Sequence, residues 1–127
     1  GMCKNRWGRI GDAHVIGAGT YADNNSCAVS CTGHGEYFIR HAVAFDVCAR
    51  YKYLKESVEK AADYIIHTEL NTNAGNGGLI AVDKLGNIAM PYNSGGMFRG
   101  FLYKEKGRPE IKKGCGIGKK IVVVGEK

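Results

Sequence analysis

The spacing of apolar residues changes along this chain from that of a strand to that of helices and back, and this order constrains the fold most. Residues 27–31 predict a short strand, which leads into the glycine-rich turn 32–35. Helices are predicted over 36–51 and over 58–70, and Ser57 is a good N-cap for the second helix. The regular structure therefore begins with one strand and two adjacent helices.

Three short strands are predicted after the helices, separated by turn residues, at 78–82, 87–92 and 97–103. Their short connections favour an antiparallel meander. One strand, two helices and then several strands predict an α+β domain with one sheet and helices on one face of it. An alternating parallel β/α fold agrees less well with this order.

Each predicted helix carries one apolar face that can be buried against the sheet. In the first helix the apolar residues recur every three or four positions: Phe38, Ala42, Phe45 and Ala49. In the second helix the inward residues are Val58, Ala61, Ala62, Ile65 and Ile66.

The composition is that of a globular domain, because 44% of the 127 residues are apolar and 24% are charged. With no apolar run of about 18 residues and no leader pattern, we expect a soluble cytoplasmic protein that does not enter the membrane. The five cysteines include no C-x-x-C, and Cys27 and Cys31 would lie roughly 13 Å apart in a strand, so reduced thiols are favoured. The four histidines lack paired ligand spacing, and we expect neither a metal nor a cofactor.

The net charge of +6 is concentrated near the end of the chain. From Lys104 onward there are eight Lys or Arg residues and three Glu. We therefore predict a domain at 1–103 followed by a basic C-terminal extension at 104–127. A basic tail can bind phosphates, but this one has no aromatic residues for stacking on bases. A solvated tail is favoured over a nucleic-acid interface.

A cation and an anion lie three residues apart in the segment Gly-Arg-Ile-Gly-Asp at 8–12. The planar guanidinium of Arg9 can bind a carboxylate through two hydrogen bonds, and Asp12 can accept from an ammonium group. The pair suits a zwitterionic α-amino acid. A surface ion pair in a loop is the alternative interpretation.

The turn at 32–36, Thr-Gly-His-Gly-Glu, places the Thr32 hydroxyl beside exposed backbone N–H groups. A glycine-rich turn that leads into a helix favours developing negative charge, as an oxyanion hole does. A plain turn with a helix cap is the alternative. His34 could act as a base, but no Ser or Cys partner is identified for it, so we assign it no role.

In order and spacing, these segments resemble the C-terminal part of the β subunit of plant-type L-asparaginases/isoaspartyl peptidases, which are N-terminal-nucleophile hydrolases. Glycosylasparaginase shares the Arg–Asp and Thr-Gly elements, but the run 32–38 favours the former group. The resemblance covers about residues 1–103 and rests on the following segments: 8–12, 16–22, 27–36, 61–67, 77–82, 90–93 and 96–99.

The resemblance implies an αββα sandwich and a precursor that cleaves itself, so that a threonine becomes the first residue and the nucleophile of the β subunit. It implies that Arg9 binds the substrate α-carboxylate and Asp12 the α-ammonium group. Thr32 and Gly33 would form the oxyanion hole, and Gly35 would line the substrate pocket through its backbone. The implied small-molecule substrates are L-asparagine and β-aspartyl dipeptides.

The family's β subunit begins before the position that matches Gly1, and its nucleophilic threonine has no counterpart in these 127 residues. We therefore expect the chain alone to be inactive and to need the α subunit and the N-terminal part of the β subunit. The resemblance also implies a homo-oligomer of αβ units. Ala13 and His14 replace the family's usual small residue and proline. A degenerate, non-catalytic remnant is the alternative if the natural chain begins at Met2.

Overall fold

A computed structural model describes the following residues: 7, 15–70, 76–104, 111–117 and 120–126. The chain divides into two compact units, Gly1–Asn93 and Ser94–Lys127. The sequence places a boundary after residue 103, and the assignment of 104–127 as an extension of the family domain stays a prediction.

The first unit contains a four-stranded antiparallel sheet in the order β1-β2-β3-β4. Its strands are β1 (Thr20–Ala22), β2 (Cys27–Gly33), β3 (Gly77–Asp83) and β4 (Ile88–Ala89). β2 and β3 pair along their full length, from Cys27 opposite Asp83 to Gly33 opposite Gly77. The strands predicted at 27–31 and 78–82 are confirmed.

The two faces of this sheet differ in burial because successive side chains of a strand point to opposite sides. The buried side carries alternate residues of β2 and β3: Cys27, Val29, Cys31, Leu79 and Ala81. Ile80 and Val82 point to the other side and are 47% and 45% exposed. The α+β class is confirmed, whereas the αββα sandwich stays a prediction.

Three helices and a π-helical segment contribute the rest of the core. They are α1 (Gly35–Arg40), α2 (Val43–Tyr53), α3 (Val58–Tyr64) and the π-helical segment Ile65–Leu70. None of the helices among the described residues is both long enough and apolar enough to cross a membrane.

The single helix predicted over 36–51 is wrong, because Ala42 interrupts it. Ala42 has a φ of 46°, in the left-handed region, and separates α1 from α2. The first N–H groups of α2 donate to a loop: Ala44 N–H to Ala18 O at 3.0 Å and Phe45 N–H to Gly17 O at 2.9 Å. These bonds satisfy donors that a helix start leaves without a partner in its own helix.

The interruption changes which residues of that segment are buried. Phe38 is fully buried, as predicted, but Ala42 is exposed, Phe45 is 45% exposed and Ala49 is only partly buried. The remaining apolar stripe was therefore wrongly predicted. The core positions in α2 are instead Val43, Ala44, Val47 and Cys48.

The inward face predicted for the second helix is confirmed, since all five of its residues are fully buried in α3 and the π-helical segment. The predicted N-cap is also confirmed. Ser57 Oγ accepts a hydrogen bond from Lys60 N–H at 3.2 Å. An apolar face and a capping residue were sufficient to locate this helix.

The second unit contains a three-stranded antiparallel sheet in the order β5-β6-β7. Its strands are β5 (Arg99–Lys104), β6 (Ile111–Ile117) and β7 (Lys120–Glu126). The predicted meander is wrong at its last step, because β5 pairs with β6 rather than with β4. β4 has two residues, whereas β6 pairs with all six residues of β5.

Candidate active site

The predicted oxyanion-hole residues Thr32 and Gly33 lie at the end of β2, where the sheet leads into α1. Gly33 has a φ of 134°, which residues with side chains rarely adopt. A Cβ atom at Gly33 would lie 2.3 Å from Asn76 O and 2.6 Å from Gly77 Cα. Glycine is therefore required here, because any side chain would push the two strands apart.

Gly77, the partner of Gly33 across the ladder, is restricted in the same way. A Cβ atom there would lie 2.3 Å from Thr32 O and 2.8 Å from two ring atoms of Phe38. The Phe38 side chain is fully buried and comes from α1. Two facing glycines, with the Phe38 ring against Gly77, thus bring the backbone at Thr32 close to β3.

The close contact of Gly33 with Gly77 is called the glycine crossing below. Asn93 anchors the β3 side of this crossing, and it was not recognised as a site residue from the sequence. Its side-chain oxygen accepts from Gly77 N–H at 2.7 Å, and its own N–H donates to Gly77 O at 2.9 Å. Its side-chain nitrogen lies 3.5 Å from Ile66 O in the π-helical segment. An amide side chain can donate and accept at once, which suits a residue that joins a strand to a helix.

The backbone N–H groups of β2 point alternately to its two neighbours, as in any antiparallel strand. Cys31 N–H donates to Gly19 O at 2.8 Å, on the β1 side. Gly33, two residues later, directs its N–H to that same side, beyond the last pair of β1 with β2, Thr20 opposite Ser30. Thr32 directs its N–H toward β3 and its side chain to the exposed face, as Ser30 does.

The turn that follows β2 is held by its main chain. His34 N–H donates to Asn76 O, and Tyr37 N–H donates to His34 O, both at 3.0 Å. Gly35, the first residue of α1, is buried. The Nδ1 atom of His34 is buried and has no hydrogen-bond partner among the described residues. His34 therefore positions this turn through its backbone.

The structure brings Thr32, Gly33 and Gly35 together at one junction. Arg9 and Asp12 lie outside the described residues, so their placement relative to this junction stays a prediction. In the part of the chain that the structure describes, no group of three His, Cys, Asp or Glu residues could hold a metal ion.

Comparison with known proteins gives a matching family model, described as asparaginase, over residues 1–111. The isoaspartyl peptidase of Salmonella typhimurium is 48% identical over 103 residues, which cover 81% of this chain and 33% of that protein. The isoaspartyl peptidase of Escherichia coli is 43% identical over 117 residues, covering 84% of this chain and 36% of that protein.

A plant relative is similar to the same part of the chain. The probable isoaspartyl peptidase/L-asparaginase 2 of Arabidopsis thaliana is 47% identical over 100 residues, covering 79% of this chain and 30% of that protein. The chain thus spans about a third of the length of these curated relatives.

Proposed function

This chain belongs to the asparaginase family, as its sequence resemblance predicts, and we propose that it forms part of a hydrolase that cleaves the side-chain amide of L-asparagine, the β-aspartyl bond of isoaspartyl peptides, or both. The relatives named isoaspartyl peptidase or L-asparaginase support this reaction class. Both substrates present a carbonyl that is attacked and becomes a tetrahedral oxyanion.

The observation that carries the proposal is the close crossing of Gly33 and Gly77. Donors for an oxyanion stabilise the transition state best when they are already in place and need no reorganisation. The crossing supports such a role because backbone atoms, rather than mobile side chains, set the position of the peptide before Gly33. The Asn93 hydrogen bonds to Gly77 restrain the opposite strand.

The two proposed donors are the Gly33 N–H and the Thr32 hydroxyl. The Gly33 N–H points away from β3, whereas the N–H of Thr32 points into the ladder and is not available. The hydroxyl of Thr32 is therefore its proposed contribution. Losing one oxyanion donor typically costs about 2.7–4 kcal/mol of transition-state stabilisation.

The remaining roles follow the family resemblance. Arg9 binds the α-carboxylate of the substrate and Asp12 its α-ammonium group, which gives selectivity for a zwitterionic amino acid. Gly35 lines the substrate pocket with its backbone. The residue types in the segment 8–12 agree with the roles of Arg9 and Asp12, whereas the role of Gly35 rests on the resemblance alone.

The nucleophile in this proposal is a threonine that lies outside these 127 residues, at the start of a β subunit released by self-cleavage. The α subunit and the N-terminal part of the β subunit then complete the site, and αβ units associate as a homo-oligomer in the cytoplasm. The 127 residues alone are expected to be inactive.

The test uses the full-length protein that contains this chain, with kcat measured for ammonia release from L-asparagine and aspartate release from a β-aspartyl dipeptide. Thr32→Val removes the hydroxyl and should lower kcat roughly 10²–10³-fold. Thr32→Ser should keep most of the activity. Ser30→Ala is the matched control, because Ser30 lies on the same strand and the same face.

If the Thr32→Val variant keeps the wild-type kcat and Tm, the Thr32 hydroxyl is not an oxyanion donor. Amino-acid binding without any turnover by the full-length protein would instead indicate a non-catalytic remnant. Faster hydrolysis of a glycosylated asparagine than of the other two substrates would indicate a glycosylasparaginase-like enzyme.

A further inference from the structure

Cys27 and Cys48 bring two thiols together in the core of the first unit. Cys27 is the first residue of β2, and Cys48 lies in α2, 21 positions later in the chain. The two residues are 3% and 2% exposed, and their Sγ atoms are 2.6 Å apart. A disulfide bond is about 2.05 Å long, so a movement of roughly half an ångström would join the two sulfurs.

The contact between the two thiols shifts their pKa values in opposite directions. The Ser26 hydroxyl donates to Cys48 O at 2.8 Å and lies 3.7 Å from Cys27 Sγ. The hydrogen bond from Cys48 lowers the pKa of Cys27. The same contact, together with burial, raises the pKa of Cys48. Both directions favour Cys27 over Cys48 as the thiol that reacts first.

A third buried cysteine, Cys31, is not a disulfide partner for Cys27. Cys31 lies on the same strand and the same face as Cys27 and is 7% exposed. Four positions along a strand separate the two residues by roughly 13 Å, which is beyond the reach of a disulfide. Cys48 comes within reach of Cys27 only because α2 packs across the start of β2.

We propose that Cys27 and Cys48 form an oxidation site at which a small peroxide generates an intrachain disulfide. The Cys27 thiolate attacks one oxygen of hydrogen peroxide, the O–O bond breaks, and the released hydroxide takes a proton to become water. Cys27 is then a sulfenic acid. The Cys48 sulfur attacks the Cys27 sulfur, and the proton of Cys48 leaves with the displaced hydroxide as a second water. Two thiols supply the two electrons that reduce the peroxide.

The buried pair lies directly beside an exposed turn, and local opening of that turn would admit a small oxidant. Cys27 begins its strand directly after the turn Asp23–Ser26, in which Asn24 and Asn25 are exposed. Local opening of a terminal turn needs less free energy than global unfolding. A sulfenic acid formed at Cys27 would meet the Cys48 thiol before any external thiol, since the two sulfurs are already in contact.

The disulfide would close a loop from the start of β2 through the turn 32–35 and α1 to α2. Closing a loop of this length restricts the unfolded chain and stabilises the folded state. The bond would also tie together the two elements that flank that turn. The inference rests on the thiol geometry and does not depend on the proposed hydrolase activity.

The experiment uses the full-length protein, reduced and then treated with hydrogen peroxide, with remaining thiols alkylated under denaturing conditions. Intact mass should show the loss of two hydrogen atoms, and peptide mapping should show Cys27 joined to Cys48. The oxidised form should melt about 5 °C higher than the reduced form. Cys31→Ser should leave the disulfide unchanged, whereas Cys48→Ala and Cys27→Ala should abolish it.

Three results would overturn the proposal. The first is that both thiols of the wild-type protein remain alkylatable after peroxide treatment. The second is a new disulfide that includes Cys31. The third is a disulfide at Cys27 that persists in the Cys48→Ala variant. The mass measurement on the wild-type protein decides the question even if a variant fails to fold.

Discussion

The ladder between β2 and β3 ends in two different ways, although the same two strands form both ends. At the Gly33–Gly77 end the backbones meet without side chains between them, and a Cβ atom has no room. At the Cys27–Asp83 end, side chains fill the space: a thiol contacts another thiol, and a carboxylate binds the next turn. The first end is held by main-chain contacts, and the second end is closed by packing of side chains.

The carboxylate of Asp83 shows how the closed end is held. It accepts from Leu85 N–H at 2.9 Å, from Asn87 N–H at 2.8 Å and from the Asn87 side-chain amide at 2.8 Å. Asp83 is only 6% exposed, so these bonds replace most of its hydration. A close glycine contact at one end of this ladder is therefore combined with a stabilising turn at the other.

Replacing Gly33 by Ala should have the largest effect, a loss of about 3–5 kcal/mol in the free energy of unfolding, because the new Cβ would overlap the backbone of β3. Gly86→Ala is the matched control, since Gly86 also has a positive φ, of 90°, but no atom within 4 Å of an added Cβ. The control should lose about 1–2 kcal/mol. If both variants lose the same free energy of unfolding in urea, the positive φ alone explains the need for glycine at position 33, and the close contact with β3 does not contribute.

Replacing Asp83 by Ala tests the closed end and should cost about 3 kcal/mol, because three donors lose one buried acceptor group. Asp63→Ala is the control, since the Asp63 side chain is 63% exposed, and it should change stability by less than about 0.5 kcal/mol. Thermal and urea unfolding measure both variants. Similar small losses in the two would mean that the carboxylate does not hold this end.

Replacing Asn93 by Ala should cost about 2 kcal/mol, because Gly77 N–H loses its acceptor beside the buried Phe38 ring. Asn93→Asp keeps the acceptor oxygen and should lose less. Hydrogen exchange at the Gly77 amide gives a local readout and should be faster in the Ala variant. Unchanged exchange there would show that Asn93 does not restrain the glycine crossing.

The smallest effect is expected for Asp23→Asn, in the turn before Cys27. The Asn25 N–H at 2.9 Å, with a further contribution from the Lys52 charge, holds the pKa of Asp23 below its ordinary value of 3.8. The ionised form is therefore favoured by folding, and its contribution is present above pH 3.8 and disappears as the pH falls through the lower folded value. The difference in Tm between wild type and variant should shrink accordingly between pH 6 and pH 2. A constant difference would exclude this linkage.

The two ends also differ in how far they could be predicted from sequence. The glycines at 33 and 35 predicted the tight turn from β2 into α1, but the approach of Gly33 to Gly77 was seen only in the structure. Asn93, 16 positions from Gly77, was not recognised as its anchor, since a single asparagine in a turn has no distinctive spacing. At the Cys27–Asp83 end, the spacing along a strand excluded a disulfide between Cys27 and Cys31. No pattern in the sequence indicated that Cys48 lies beside Cys27.

The sequence by itself determined the elements whose signals are local: the strand at 27–31, the capped helix after Ser57 with its buried face, the glycine turn and the family resemblance. Periodicity and capping act within one or two turns of chain, so they are readable in one dimension. The tertiary structure alone decided the break at Ala42, where carbonyls of Gly17 and Ala18 accept the first N–H groups of α2.

The same limit applies to the pairing of β5 with β6 and to the contact of Cys27 with Cys48. Each depends on which distant segment offers the better partner. β6 pairs with six residues of β5, whereas β4 has only two residues. Cys48 reaches Cys27 because α2 packs across the start of β2. Local patterns specify what a segment can form. The competition between distant partners in the folded chain selects what it does form.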